Sequence, residues 1–290
     1  MLAYLRLLRP RQMSKNAFCF AGVVFSGRFV YLESNIAAAL TFAAFCACSS
    51  AVYILNDVID QERDREHPRK RLRPIASGKV SVPVALLLGT ILVVASFLLG
   101  ALINWAVVVC LGLYLINNAA YSLGLKHVAL IDVLSIALGF VLRLVAGAYA
   151  VGELPTTWFT LCTFFLSIFL GSAKRRAELA GIVPEKEKLQ RPVLREYSVQ
   201  YLDQLVNSSA AMAVMCYALF TVMSHKNPAL IITVPIVFFA VMYYKRLVMV
   251  EKCGEEPERT VVGNRYLLAS VILWLIAYFG IIYGDFHLFR

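Results

Sequence analysis

Charge is scarce in this chain, and acid is scarcer than base. Only 16% of the 290 residues are charged against 60% hydrophobic, and 18 acidic side chains accompany 28 basic ones. So little charge over so much apolar surface excludes an ordinary soluble domain. Gly/Ser-rich linkers and compositional breaks are missing too, so one membrane domain over 1–290 is expected. The seven cysteines show no pattern: all but Cys253 lie in apolar stretches, and neither a disulfide framework nor a zinc site is indicated. Four scattered histidines, His67, His127, His225 and His287, lack ligand spacing and read as interfacial residues. A secretory signal is also absent, because Arg6, Arg9, Arg11 and Lys15 are spread over an amphipathic stretch with no small-residue cleavage site after the first apolar run. That run is expected to stay in the mature protein.

What the chain has in abundance is apolar stretches approaching or exceeding about 18 residues, the length of a bilayer-crossing helix. The expected fold is all-α and polytopic, with nine spans near 17–32, 35–57, 82–102, 105–122, 128–150, 155–173, 199–224, 228–244 and 266–284. With the N-terminus in the cytoplasm, every Lys and Arg falls on the inside except Arg28, Lys226, Arg290 and the intraspan Arg143. That asymmetry is the positive-inside pattern of a plasma (inner) membrane protein. The formal net charge of +10 then needs no nucleic acid, since topology and anionic lipid account for most of it. A homo-oligomer is compatible with the sequence, which does not specify one.

Where the second span meets a basic loop stands Asn56-Asp57-Val58-Ile59-Asp60-Gln61-Glu62-Arg63-Asp64. On a helix Asp57, Asp60 and Asp64 fall at i, i+3 and i+7, within an arc of about 60°. Three aligned carboxylates repel one another without a cation. Their hard oxygens, with the Asn56 carbonyl beside them, suit Mg2+, which binds through a few carboxylates plus substrate phosphates and retains waters. Calcium fits less well, because no glycine-rich cage supplies enough protein oxygens. The alternative, a solvated helix end balanced by Arg63 and Arg65, leaves the alignment unexplained.

Cations follow at once. Arg69, Lys70, Arg71 and Arg73 lie directly after the acidic motif, where Arg71 and Arg73 suit the residual charge of a magnesium diphosphate, although any membrane protein displays basic cytoplasmic loops. Tyr121 and Lys126 close the fourth span, with Lys126 favoured as a phosphate ligand. Asp132 and Arg143 are ionisable groups inside the fifth span, where burial requires a partner or a cavity. After the sixth span, Lys174, Arg175 and Glu178 read either as a helix-surface ion pair between Lys174 and Glu178 or as a second, cationic anion site. The polar runs at 181–196 and 255–259 are candidates for capping the site.

The first signature, NDxxDxxxD at Asn56, Asp57, Asp60 and Asp64, resembles that of the UbiA superfamily of intramembrane prenyltransferases. The YxxxLK segment from Tyr121 to Lys126 and the run from Gly139 to Gly147 are similar to the same superfamily. The resemblance implies nine transmembrane helices around a central cavity with a cytoplasmic active site. It departs in one place. Typical members carry a second aspartate-rich motif after the sixth span, whereas this chain has Ser172-Ala173-Lys174-Arg175-Arg176-Ala177-Glu178. Together with LRPRQxxKN from Leu8 to Asn16 and HPxKRxRPIASG from His67 to Gly78, that basic replacement resembles the branch that moves 5-phosphoribose onto a polyprenyl (decaprenyl-type) phosphate.

This resemblance implies a magnesium-dependent transfer from phosphoribosyl pyrophosphate to a polyprenyl phosphate in the bilayer, with pyrophosphate leaving and ribose C1 inverted. Asp57, Asp60 and Lys126 would be catalytic, and Asn56, Asp57, Asp60 and Asp64 the metal ligands. Lys15, Asn16, Arg71, Arg73, Tyr121 and Lys126 would contact the leaving or attacking phosphate, and Lys174 and Arg175 the 5-phosphate, with Glu178 orienting one of them or a ribose hydroxyl. Two alternatives remain open at this point: a prenyltransferase that moves a polyprenyl group from its diphosphate to an aromatic acceptor, and a non-catalytic lipid-phosphate carrier or transporter.

Overall fold

The computed structural model describes residues 2–68, 70–181, 192–224, 226–251, 254 and 257–284. Among them the chain is helical without strands. In order, the α-helices are α1 (Leu2–Leu7), α2 (Ala21–Ser26), α3 (Leu32–Ile59), α4 (Gln61–Glu66), α5 (Val82–Ala101), α6 (Trp105–Leu123), α7 (Ile131–Ala150), α8 (Thr157–Ala180), α9 (Val199–Met223), α10 (Val234–Val250), α11 (Pro257–Gly263) and α12 (Arg265–Tyr283). Eight of the helices are long and apolar enough to cross a membrane, the seventh of these running from Pro228 through α10. The protein is an integral, multi-pass membrane protein.

The expected first span, 17–32, is not one long helix. It consists of the end of a 3-10 helix at Pro10–Phe20, then α2, then a short 3-10 turn at Arg28–Val30. Two causes are visible. Gly27 breaks the helix with φ 77, a left-handed conformation that costs glycine little. The chain also presses its backbone against α7: a Cβ on Gly147 would stand 2.0 Å from the Cys19 carbonyl oxygen, and one on Gly22 would stand 2.3 Å from that of Gly147. The segment is therefore shaped by α7. The remaining spans fall where expected, except that the sixth and the eighth expected, 155–173 and 228–244, run on to Ala180 and Val250, so that Lys174, Arg175 and Glu178 lie within α8 and not after it.

The chain divides into two compact units, Met1–Pro155 and Thr156–Arg290. In the first, α3 packs against α5, α6, α7 and the N-terminal 3-10 helix. The most apolar windows of α3 and α7 are each 61% buried against 17% for α5, so α3 and α7 are the inner helices. Leu87, Ile91, Val94 and Leu98 on α5 are exposed, as a lipid-facing surface requires. Cys19, Phe45, Val107, Leu111, Tyr114 and Ala146 form the central core. A second cluster, Leu7, Ile54, Ile75, Val80 and Ala85, anchors α1 and the loop before α5 to the end of α3. In the second unit α8 and α9 pack most extensively, joined by α10 through Phe169, Ala173, Val206, Val241 and Val248. Helix starts follow local chemistry: Asn104 caps α6 by accepting from Val107 N at 3.0 Å, and Ser198 caps α9 by accepting from Tyr201 N at 3.1 Å.

Six cysteines, Cys19, Cys46, Cys48, Cys110, Cys162 and Cys216, are buried and free. Cys253, His225 and His287 lie outside the described residues, as do 182–191 of the expected capping run and Glu255 and Glu256 of the other.

The close approach at Gly147 yields a stability prediction. Gly147→Ala forces the α7 backbone off Cys19 and should lower stability by about 1–3 kcal/mol, the range of overpacking. Gly112→Ala, where nothing lies within 4 Å of the added methyl, should be neutral or slightly stabilising. Thermal denaturation in detergent, followed by helicity, measures both.

Candidate active site

The acidic motif is not carried by one uninterrupted helix. Asn56 and Asp57 occupy the last turn of α3, Asp60 is the junction, and Asp64 lies in α4. The backbone ladder nevertheless runs through the joint, with Asp60 N donating to Asn56 O at 2.9 Å and Asp64 N to Asp60 O at 2.8 Å. Helical spacing survives, so Asp57 and Asp64, seven residues apart, still share a face.

One cation bridges that face. Arg73 Nη1 donates to Asp57 Oδ1 at 3.0 Å and to Asp64 Oδ2 at 2.5 Å. Both carboxylates are buried, at 3% side-chain exposure, whereas Arg73 keeps 26%. Arg9 Nη2 also donates to Asp57 Oδ1, and its guanidinium lies over the Tyr53 ring, 4.8 Å from the centroid. Burial pulls the Arg9 guanidinium below its usual value while Asp57 opposes that shift. Asp60 pairs separately: Lys126 Nζ donates to its Oδ1 at 2.7 Å. Three acids thus meet three bases.

The loop that delivers Arg73 is tied down on both sides. Gln61 Nε2 donates to Ile75 O at 3.4 Å and Arg65 Nε to Ala76 O at 3.3 Å, while Ile75 and Val80 are buried against Ile54 and Leu7. Arg71, on the same loop, is exposed, its backbone N donating to His67 O at 3.1 Å. Tyr121 is half-buried at the end of α6, and Asn56 half-buried beside Asp57.

Asn16, a predicted substrate contact, is fully buried in other company. Arg143 Nε donates to its Oδ1 at 2.6 Å, and its Nδ2 donates to Ser49 Oγ and Cys46 Sγ, each at 3.2 Å. Arg143 completes its shell by donating to Gly139 O and the Tyr114 hydroxyl, both at 2.8 Å, with its guanidinium 4.6 Å from the Tyr114 ring centroid and 5.4 Å from that of Phe140. This intraspan arginine locks the N-terminal segment to α3, α6 and α7. Lys15, next in sequence, is half-buried, and Asp132 is fully buried in the first turn of α7.

In the second unit, Arg175 is 1% exposed and donates through Nη1 to Glu178 Oε2 at 2.9 Å, one turn along α8. Glu178, read from the sequence as a possible partner of Lys174, takes Arg175 as a partner. Arg176 Nε donates to Asp203 Oδ1 and its Nη1 to Val248 O, both at 2.9 Å, fastening α8 to α9 and α10.

Among the described residues, no group of three or more His, Cys, Asp or Glu side chains is arranged to hold a metal ion. The donor chemistry nevertheless fits a hard divalent cation. Oxygens of Asp57 and Asp64 converge on one cationic nitrogen of Arg73, which stands in for such an ion.

Arg9 is the residue that sequence reading missed. Its signal was faint: one basic residue among four in the N-terminal stretch, followed by Pro10. A residue before proline favours extended backbone, yet Arg9 adopts φ 50 and ψ 59. Such a conformation costs on the order of 1–3 kcal/mol and persists only where surrounding contacts enforce it. Here the contact is Asp57.

The sequence matches the UbiA prenyltransferase family over residues 17–268. It is 34% identical over 220 residues to the decaprenyl-phosphate phosphoribosyltransferase of Mycolicibacterium smegmatis, covering 74% of this chain and 69% of that one. With the enzyme of the same name from Mycobacterium tuberculosis it shares 30% identity over 275 residues, covering 93% of this chain and 91% of the relative. A UbiA homolog from Archaeoglobus fulgidus, solved bound to GPP and Mg2+, superposes with a TM-score of 0.73 at 20% identity, covering 97% and 99% of the two chains. That likeness extends to the fold.

Arg143 and Asn16 form a testable pair. Asn16→Ala strips a buried guanidinium of an acceptor and should cost about 1–3 kcal/mol of stability. Arg143→Met in the Asn16→Ala background should restore part of it, because an apolar replacement removes the buried charge as well. Melting temperatures of the two single variants and the double variant, read as a cycle, test the coupling.

Proposed function

The chain belongs to the UbiA prenyltransferase family, and from that membership we propose that it transfers 5-phosphoribose from phosphoribosyl pyrophosphate to a polyprenyl phosphate, releasing pyrophosphate. The observation that carries the reading is the balanced cluster of Asp57, Asp60 and Asp64 with Arg9, Arg73 and Lys126 in the first unit. Such a cluster suits a diphosphate that arrives with a metal. Its support is the likeness to phosphoribosyltransferases across most of the chain, together with Lys174 and Arg175 where an acidic motif would serve a second metal.

Asn56, Asp57, Asp60 and Asp64 are the residues assigned to Mg2+, which when bound withdraws charge from the pyrophosphate. Arg9, Arg73 and Lys126 hold the leaving pyrophosphate and stabilise the charge that grows on it. Lys15, Arg71 and Tyr121 are assigned to the remaining phosphate oxygens. Asn16 supports this set from below by fixing the N-terminal segment through Arg143. In the second unit, Lys174 and Arg175 are proposed to bind a phosphate group, with Glu178 orienting Arg175.

The acceptor is a phosphate monoester, ionised at neutral pH, so no strong general base is required. Its oxygen attacks ribose C1 on the face opposite the departing pyrophosphate, which inverts that carbon and gives polyprenyl-phosphoryl-5-phosphoribose. The protein's task is positioning and charge stabilisation. The N-terminus and the site are proposed to face the cytoplasm at the plasma (inner) membrane, a reading supported by the placing of the basic loops.

A second reading, prenyl transfer to an aromatic acceptor, draws on the GPP-bound structural neighbour. Purified protein offered labelled phosphoribosyl pyrophosphate with a polyprenyl phosphate should place label in the lipid. Label reaching product only when a prenyl diphosphate and hydroxybenzoate are supplied instead would overturn the assignment. Asp57→Ala and Asp60→Ala should each lower magnesium-dependent turnover at least about 100-fold; intact turnover in both would remove the metal assignment.

A further inference from the structure

The acidic cluster of the first unit pairs three acids with three bases. Asp57 and Asp64 share Arg73, Asp57 also holds Arg9, and Asp60 holds Lys126. A divalent cation that used the same Asp57 and Asp64 oxygens would need the space of the Arg73 nitrogen between them. Arg73 is the partner able to move, because its side chain is 26% exposed while the two carboxylates are held at 3%.

We propose that Arg73 holds the metal's place in the donor-free protein, and that with Arg9 it makes a divalent ion and a diphosphate bind as a coupled pair, neither tightly alone. This inference rests on the metal and diphosphate assignments made above. A bare dication entering a balanced site adds two positive charges and leaves Arg9 and Arg73 without their carboxylates. An ion that brings a diphosphate adds net negative charge instead, and the displaced guanidinium groups gain phosphate oxygens in the forked geometry that suits them.

Arg9 also lines an open cavity of about 500 Å³ with Leu5, Arg6, Pro10, Arg11 and Gln12, so its guanidinium is reachable from that side. Arg9 therefore touches both this cavity and Asp57, to which its guanidinium donates. By linkage, the diphosphate must tighten metal binding by the same factor as the metal tightens diphosphate binding.

Manganese, followed by its electron paramagnetic resonance signal, with inorganic pyrophosphate as the anion, tests this without turnover. Wild-type protein in detergent should bind Mn2+ at least about 10-fold more tightly with pyrophosphate than without it, a typical coupling between linked sites. Arg73→Met should bind Mn2+ alone at least about 10-fold more tightly than wild type and lose most of the enhancement by pyrophosphate. Arg9→Met should shift both quantities the same way by less, which keeps the test available if Arg73→Met fails to fold by helicity and gel filtration. Equal Mn2+ affinity with and without pyrophosphate in wild type, or unchanged or weaker Mn2+ binding in a folded variant, would overturn the coupling. Lipid labelling that persists in that case leaves phosphoribosyl transfer standing; intact coupling without labelling condemns the reaction and not the place-holding arginine.

Discussion

Everything at the end of α3 depends on neutralising carboxylates that the fold has buried. Asp57 and Asp64 are nearly inaccessible, and a buried carboxylate without a partner costs several kcal/mol. Arg73 answers both at once, which obliges the loop from His67 to Val80 to fold back over α4. The loop's own fastenings, Gln61 to Ile75 O and Arg65 to Ala76 O, hold the backbone that carries the arginine, while its side chain keeps 26% exposure. Arg9 then sets the path of the N-terminal stretch in the same way.

A second buried charge organises the opposite part of the same unit. Arg143 has no carboxylate among its recorded partners; it is surrounded by the Asn16 carbonyl, a backbone carbonyl, a tyrosine hydroxyl and aromatic faces. Each is a weak answer to a buried cation, and together they satisfy most of its five N–H donors. Because those partners come from the N-terminal segment, α6 and α7, the arginine also fixes how these pieces meet. The contact of Gly147 with Cys19 places the same segment against α7 by shape alone. One polar lock and one steric lock therefore position the chain that leads to Arg9.

Much of this was legible in the residues. Long apolar stretches require helices in a bilayer, because no other local structure satisfies the backbone there without neighbours. The spacing of Asp57, Asp60 and Asp64 put all three on one face; Asp57 and Asp64 share Arg73 there, while Asp60, at the break, pairs with Lys126. The first apolar stretch, 17–32, misled because periodicity and hydropathy do not register a backbone pressed against another helix. Asn16 read as a polar contact for substrate, since nothing in its sequence neighbours announces an arginine 127 residues away. Arg9 was hidden for a related reason: a basic residue in a loop beside an apolar stretch is what a membrane topology alone would supply.

By itself, then, the sequence determined a polytopic helical membrane protein, the positions of its basic loops and the acidic motif with its oxygen chemistry, since these follow from solvent preference and helical period. Only tertiary structure decided which cation meets which acid. Ion-pair choice depends on where loops return in space, and the return of the His67–Val80 loop is governed by the burial of Ile75 and Val80 against Ile54 and Leu7. Packing of apolar side chains thus brings Arg73 to Asp57 and Asp64.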